Sequence, residues 1–173
     1  MIETEVKKKI TLEEFMQLPD ENIELINGQI VQEPTPVYGH QKISVIIASE
    51  IYAQLKDNNR GDIIAAPMDV ILGENVLQPD LLFIAAGRLS IAGSGRVVGP
   101  PDVVFEIISP SNAYRDTKEK FDLYEQFGVE EYFIVYPDDK MVVKYALSDG
   151  KYHEAYRETG IVKSEIIGCD ISF

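Results

Sequence analysis

The sequence predicts an α/β domain whose central β-sheet is flanked by helices, and three observations support this. Isoleucine and leucine recur every four residues between positions 40 and 56, which is the spacing of one buried helix face. Short apolar runs bounded by turn residues follow, as expected for buried strands. Near the N-terminus, Asn27-Gly28 separates two apolar segments and predicts a β-hairpin, because both residues accept positive φ.

The N-terminal part of the chain predicts a short helix followed by that hairpin. Thr11 and Glu14 match a capping box, in which each side chain bonds a free backbone amide, so a helix is expected from there to about Leu18. The two strands of the hairpin are expected at 23–26 and 29–32. We expect a single domain over 1–173, with an N-terminal arm at 1–36 and a core at 37–173.

The core is predicted to be rich in strands. Apolar runs predict strands at 62–65, 68–72, 80–85, 102–108, 131–136, 140–147 and 151–155. In most of these runs apolar and polar residues do not alternate, which is typical of strands covered on both faces. Glycines and prolines in 86–101 predict a mobile loop. A second helix is expected from Ala113 to Phe127, where Gly128 is suited to end it in the left-handed conformation.

Composition bounds the class of protein. The 173 residues are 45% apolar, which is enough for the core of one domain. No apolar run approaches the roughly 18 residues that span a bilayer, and the N-terminus lacks the layout of a secretory signal. Cys169 is the only cysteine, which excludes an intrachain disulfide, and two histidines exclude a histidine-rich zinc site. We therefore expect a cytoplasmic protein with no membrane partner.

The net charge of −13 disfavours binding to polyanions, because phosphates are neutralised by Lys and Arg. The charge is distributed unevenly along the chain. Residues 87–120 carry five basic side chains against four acidic ones, so the acidic excess lies in the rest of the chain. Ordinary fluctuation of composition explains this difference equally well.

Two carboxylates stand beside or inside apolar runs. Asp80 precedes the run 81–84, and Glu106 lies inside the run 103–108. An ionised carboxylate in such surroundings is costly unless it is paired or binds a metal. Mg2+ is held through one or two carboxylates with water and phosphate oxygens, so Asp80 and Glu106 on adjacent strands would provide such a site.

Lys120 completes the candidate catalytic set. It lies four residues before Tyr124 and seven before Phe127, so its side chain is expected on the inward face of the second helix, whereas Lys118 should point elsewhere. An inward lysine can pair with the carboxylates, orient an attacking water and stabilise charge that develops on phosphorus.

Each candidate also has a purely structural interpretation. Asp80 follows Pro79 and could be a turn residue, and Glu106 could be edge-exposed or paired with an arginine. Lys120 could reach solvent or form a structural salt bridge. His40 stands beside a helix start, where it could cap or pack.

Longer motifs resemble a known family. The motifs are Ile23-Glu24-Leu25-Ile26-Asn27-Gly28, His40-Gln41, Gln78-Pro79-Asp80-Leu81, the segment 99–111 with Phe105-Glu106-Ile107-Ile108-Ser109-Pro110-Ser111, and positions within 115–135. Together they resemble the putative restriction endonuclease family of the PD-(D/E)xK nuclease superfamily, over nearly the whole chain.

The resemblance implies a restriction-endonuclease-like core in which Asp80 and Glu106 hold Mg2+ or Mn2+, which activates water to hydrolyse a DNA phosphodiester. The superfamily pattern expects a lysine two residues after the glutamate, where this chain has Ile108. The matching lysine is Lys120, with Lys118 as the fallback. A metal-dependent endodeoxyribonuclease is thus the leading hypothesis, and double-strand cleavage by so small a domain favours a homodimer.

Further residues are candidates for supporting roles. The candidate auxiliary residues are His40, Glu24, Glu50 and Lys118. Ser109 and Arg115 are candidates for phosphate binding. Asp102 is interpreted as structural, capping the start of its strand.

Two other functions stay open. A nuclease-like fold could serve as a catalytically silent nucleic-acid-binding or regulatory module, which the charge of −13 and the lack of a separate DNA-binding domain favour. The carboxylate of Glu106 inside an apolar run argues against it. A glycosidase using two carboxylates as acid and base ranks last, since no tryptophan is available as a sugar platform.

Overall fold

The structure is a computed structural model that describes residues 9–19, 22–93, 95–109 and 113–173. Within these ranges the strands form two six-stranded sheets and one two-stranded hairpin, flanked by helices. The predicted mixed α/β fold with an N-terminal helix and hairpin is confirmed, although two large sheets replace the single central one. Pro110 and Ser111 of the family-like segment lie outside the described residues.

The elements follow one another closely along the chain. The first half contains α1 (Leu12–Phe15), β1 (Ile23–Ile26), β2 (Gln29–Gln32), α2 (Tyr38–Leu55), β3 (Gly61–Ala65), β4 (Asp69–Leu72), β5 (Asn75–Leu77) and β6 (Leu81–Ala85). The second half contains a 3-10 helix (Ala86–Ile91), β7 (Ala92–Gly93), β8 (Arg96–Val98), β9 (Val103–Ile107), a π-helix (Arg115–Lys120), α3 (Phe121–Phe127), β10 (Glu131–Tyr136), β11 (Met141–Ser148), β12 (Lys151–Thr159), β13 (Ile161–Ser164) and β14 (Cys169–Ser172).

The larger core is built on the sheet with strand order β12-β11-β10-β9-β6-β3. Strands β9 and β10 are parallel, and the other neighbours in this sheet are antiparallel. Every residue of β9 is buried, as are Leu81–Ile84 of β6, which confirms the expectation of strands covered on both faces. This sheet therefore has no solvent-facing side where these strands run.

Alternating residues of β9 face two different layers. Phe105 packs toward α2 and the β13–β14 hairpin, in a core that includes Ile47 and Ile51. Val104 packs toward α3 and the second sheet, in a core that includes Tyr124. Because side chains alternate along a strand, Glu106 points to the same side as Val104. This places its carboxylate beneath α3 and the π-helix.

The second sheet has the order β2-β1-β5-β4-β8-β7. Its β1–β5 pairing joins Leu25 to Val76, so the N-terminal hairpin is continuous with strands from later in the chain. Phe15 of α1 packs on these two residues. The hairpin that was predicted as part of an arm is therefore one edge of a sheet, and this brings Glu24 into the interior.

Three sequence predictions are wrong in detail. The segment 86–101 was expected to be a mobile loop, but its described residues form a 3-10 helix and two short strands and bury Val97. The helix predicted over 113–127 is not regular, since Arg115–Lys120 forms a π-helix before α3 begins. Strand β12 also runs further than predicted, to Thr159. Among the described residues, no helix combines the length and the apolar composition that a membrane-spanning segment needs.

Candidate active site

A cavity of about 450 Å³ brings together most of the predicted site residues. Asp80 stands just before β6, Glu106 lies in β9, and Lys120 ends the π-helix. All three line this cavity, together with His40, Ser109, Glu33 and Asp116. Residues that are far apart in sequence therefore share one concave surface.

Glu106 is buried at the floor of the cavity, with 2% of its surface exposed. Its Oε1 accepts hydrogen bonds from the Tyr124 hydroxyl at 2.8 Å and from Lys120 Nζ at 3.1 Å. Burial raises the pKa of this carboxyl well above its usual range, although the Lys120 ammonium opposes the rise. Glu106 is paired with a lysine and a tyrosine, not with the arginine considered as an alternative.

Lys120 is the positive centre of the site. Its Nζ lies 2.9 Å from Glu24 Oε1 and 3.7 Å from Asp116 Oδ1, in addition to its contact with Glu106. Burial alone would lower the pKa of this ammonium, but the surrounding carboxylates together raise it well above its usual range. The predicted inward orientation of Lys120 is confirmed. These ion pairs fit both a structural and a catalytic role.

Asp80 is held by two donors. Its Oδ2 accepts hydrogen bonds from the Ile107 backbone amide at 2.6 Å and from His40 Nε2 at 3.1 Å. Burial tends to lower the pKa of His40, but its hydrogen bond to Asp80 and that carboxylate's charge give a net rise. His40 Nδ1 is buried and has no hydrogen-bond partner among the described residues. The start of β6 is thereby fixed to both β9 and α2.

Glu24 connects Lys120 to the segment that carries Asp80. Its Oε1 accepts a hydrogen bond from the Gln78 backbone amide at 2.6 Å and lies 2.9 Å from Lys120 Nζ. Burial raises the pKa of Glu24 to about 8, although Lys120 opposes the rise. Its other oxygen, Oε2, is buried and meets no hydrogen-bond partner in the part of the chain that the structure describes.

Two acidic residues of the cavity were missed by sequence reasoning. Asp116 is buried, and burial raises the pKa of its carboxyl to about 6. Its position four residues before Lys120 was the available signal, because such residues share a helix face. Glu33 pairs with Arg115, whose Nη1 lies 2.5 Å from Glu33 Oε1. No local pattern marks Glu33.

Other sequence candidates lie apart from the carboxylates. Glu50 is exposed on α2 and does not line the cavity, and Lys118 is exposed and pairs with Asp122. The Asp102 carboxylate accepts hydrogen bonds from the Ala85 backbone amide at 2.8 Å and from Arg88 Nη1 at 2.7 Å. Asp102 therefore has structural contacts, as predicted, but its carboxylate joins the end of β6 to Arg88 and does not cap the start of its own strand β9.

The oxygen donors of the cavity suit a hard cation. Asp80 and Glu106 offer the carboxylate oxygens that Mg2+ prefers. Within the described ranges no three Asp, Glu, His or Cys side chains are grouped closely enough to hold a metal ion. A site here would therefore be completed by water and substrate oxygens, as is usual for Mg2+. Glu24 Oε2 and His40 Nδ1 are buried near these carboxylates, within the described residues.

Comparisons with known proteins agree with this fold. The crystal structure of a putative nuclease belonging to DUF820 from Anabaena variabilis ATCC 29413 aligns with a TM-score of 0.79 and 22% identity, covering 94% of each chain. No curated protein matches the chain. The model of the Uma2 family, described as "Putative restriction endonuclease", matches residues 12–167. The chain therefore belongs to the Uma2 family, whose description supports a nuclease function in general.

Proposed function

We propose that this chain is an endonuclease that hydrolyses DNA phosphodiesters, with Mg2+ or Mn2+ held by Asp80 and Glu106. The observation that carries the proposal is that these carboxylates and Lys120 line one cavity although they come from separate segments. Membership of the Uma2 family supports the same reaction class.

The protein's own residues would prepare the site before substrate arrives. Ile107 and His40 hold the Asp80 carboxylate in one orientation, and Tyr124 does the same for Glu106. When bound, the ion would polarise the phosphate and lower the pKa of a water molecule. Burial of the floor strengthens electrostatic interactions there, because little bulk water screens them.

Lys120 would stabilise the negative charge that builds up on the phosphate oxygens. Its ammonium is already fixed by Glu24 and Glu106, so little reorganisation is needed during the reaction. The same residue could orient the attacking water, which would explain why it lies beside a proposed metal ligand rather than at the surface.

A binding or regulatory module is the second candidate, and the charge of −13 favours it. In that case Lys120 would only neutralise buried carboxylates, and no hydrolysis would occur. The two candidates differ in one testable respect. A nuclease needs Asp80 to cleave DNA, whereas a binding module leaves the DNA uncut.

The test is cleavage of covalently closed, negatively supercoiled DNA, because a circle has no end for an exonuclease. The parent should nick it in Mg2+ or Mn2+ and not in EDTA, and Asp80→Ala should be inactive. Asp62→Ala is the matched control, since Asp62 is an exposed carboxylate on β3 away from the cavity lining. Equal nicking by parent and Asp80→Ala would contradict the proposal. Linear product without a nicked intermediate would indicate a two-fold homodimer that cuts both strands.

A further inference from the structure

Among the described residues, the two most exposed large hydrophobic side chains belong to tyrosines that are close in sequence to residues of the cavity. Tyr38 is 81% exposed and follows Val37, a lining residue. Tyr114 is 71% exposed and precedes Arg115, which is paired with the lining residue Glu33. An aromatic ring exposed to this degree gains little from packing within the domain.

The floor of the cavity is shielded from solvent. Glu106 and Lys120 are each 2% exposed, so a phosphate must enter the cavity to approach them. Part of the cavity wall is apolar and includes Pro34, Pro36 and Pro67. The cavity volume of about 450 Å³ lies within the range of pockets that hold small ligands, not that of a groove for a double helix.

Charge also disfavours a duplex. Affinity for duplex DNA comes largely from Lys and Arg contacts to phosphates, and this chain has a net charge of −13. Arg115, the basic residue nearest Tyr114 in sequence, is already paired with Glu33. This penalty is smaller for a single strand, which carries a lower density of phosphate charge, and stacking of unpaired bases on aromatic rings adds affinity beside the phosphate contacts.

We propose that the cavity takes an unpaired stretch of a DNA strand, with Tyr38 and Tyr114 stacking against the bases that flank the nucleotide inside it. This inference rests on the proposed nuclease function and narrows its substrate to single-stranded or locally opened DNA. The phosphate of the enclosed nucleotide would then reach Asp80 and Glu106, while the flanking nucleotides stay outside the cavity.

The experiment compares binding of a labelled single-stranded oligonucleotide with the same sequence as a blunt duplex, by fluorescence anisotropy in Ca2+. We expect the single strand to bind at least about tenfold more tightly, and Tyr38→Ala or Tyr114→Ala to weaken that binding about five- to hundredfold. Tyr52→Ala is the matched control and should leave the affinity unchanged. Tyr52 is 62% exposed on the same helix α2, about 21 Å from Tyr38 along its axis.

The inference is overturned if the duplex binds as tightly as the single strand, if neither is bound, or if Tyr52→Ala weakens binding as much as Tyr38→Ala. Failure of this inference can be distinguished from failure of the proposed nuclease function. Nicking that needs Asp80, without an effect of either tyrosine, would keep the nuclease and remove this inference. Tyrosine-dependent binding of single strands without any cleavage would remove the nuclease and keep the binding surface.

Discussion

Lys120 Nζ lies 3.1 Å from Glu106 Oε1, and both side chains are buried at the floor of one cavity. The same ammonium lies 2.9 Å from Glu24 Oε1, so a single cation balances carboxylates from a β-hairpin and from the central strand. A buried charge that loses its partner is strongly destabilising. The ion pairs of the floor therefore link the stability of the fold to the arrangement of the site.

Replacing Lys120 with methionine should abolish cleavage and lower the free energy of unfolding by about 3–5 kcal/mol, because buried carboxylates lose their counter-charge. Urea unfolding and the nicking assay measure the two effects. Lys118→Met is the matched control, since Lys118 is exposed and its pair with Asp122 should contribute no more than about 0.5 kcal/mol. Equal effects of both substitutions would refute the proposed role of Lys120.

The stability of the metal-free protein should fall as pH rises from about 4.5 to about 8. Burial raises the pKa of Glu24 from 4.5 to about 8, with Lys120 opposing. A group whose pKa is higher in the folded state stabilises the fold most below its unfolded pKa, and this contribution is lost as pH rises through the folded pKa. Asp116, with a pKa of about 6, acts in the same direction.

Glu24→Gln should flatten this dependence, because it removes one titrating carboxyl. The slope attributable to one group is at most about 1.4 kcal/mol per pH unit. Free energies of unfolding from urea titrations across this pH range provide the measurement, with the exposed Glu50→Gln as control. A slope that is the same in parent and Glu24→Gln would show that Glu24 does not titrate there.

Tyr124→Phe should weaken metal binding as well as the fold, because the hydroxyl donates to Glu106 Oε1 at 2.8 Å. The expected loss of stability is about 1.5–3 kcal/mol, typical of a hydrogen bond to a charged group. Tyr152→Phe is a sharp control, since its buried hydroxyl bonds the Val129 carbonyl away from the cavity. It should cost stability and leave Mn2+ affinity intact. Unchanged Mn2+ affinity in Tyr124→Phe would separate this tyrosine from the site.

His40→Gln should reduce metal affinity about 10- to 100-fold, because partners that orient a metal ligand commonly have effects of this size. The hydrogen bond concerned joins His40 Nε2 to Asp80 Oδ2. Calorimetric titration with Mn2+ provides the measurement. His153→Gln, an exposed substitution on β12, is the control and should bind as the parent does. If both histidine variants bind Mn2+ normally, His40 has no orienting role.

Burial explains why much of the fold could be predicted from sequence. The isoleucine stripe of α2 and the apolar runs of β6, β9 and β10 are patterns of the core itself. Strands β13 and β14 were not recognised, because they are short and alternate between buried and exposed residues. The π-helix was not predicted either, since the spacing of apolar residues does not resolve a single widened turn.

The site was predictable only where a residue conflicts with its local surroundings. Glu106 in an apolar strand and Lys120 on an apolar helix face both have this property, and both line the cavity. Glu33 and Asp116 stand among polar neighbours in the sequence, so the partial burial of Glu33 and the burial of Asp116 depend on tertiary packing. Glu24 contacts Lys120 because β1 joins a sheet made from later strands, a pairing that no local pattern encodes.

Titration of the purified protein with Mn2+ by calorimetry, alongside Asp80→Ala and Glu106→Gln, tests the proposed metal site most directly. We predict one saturable site in the parent, its loss in both variants, and an unchanged isotherm for Asp62→Ala. Parental affinity in both Asp80→Ala and Glu106→Gln would contradict the proposal that these two carboxylates hold the catalytic ion.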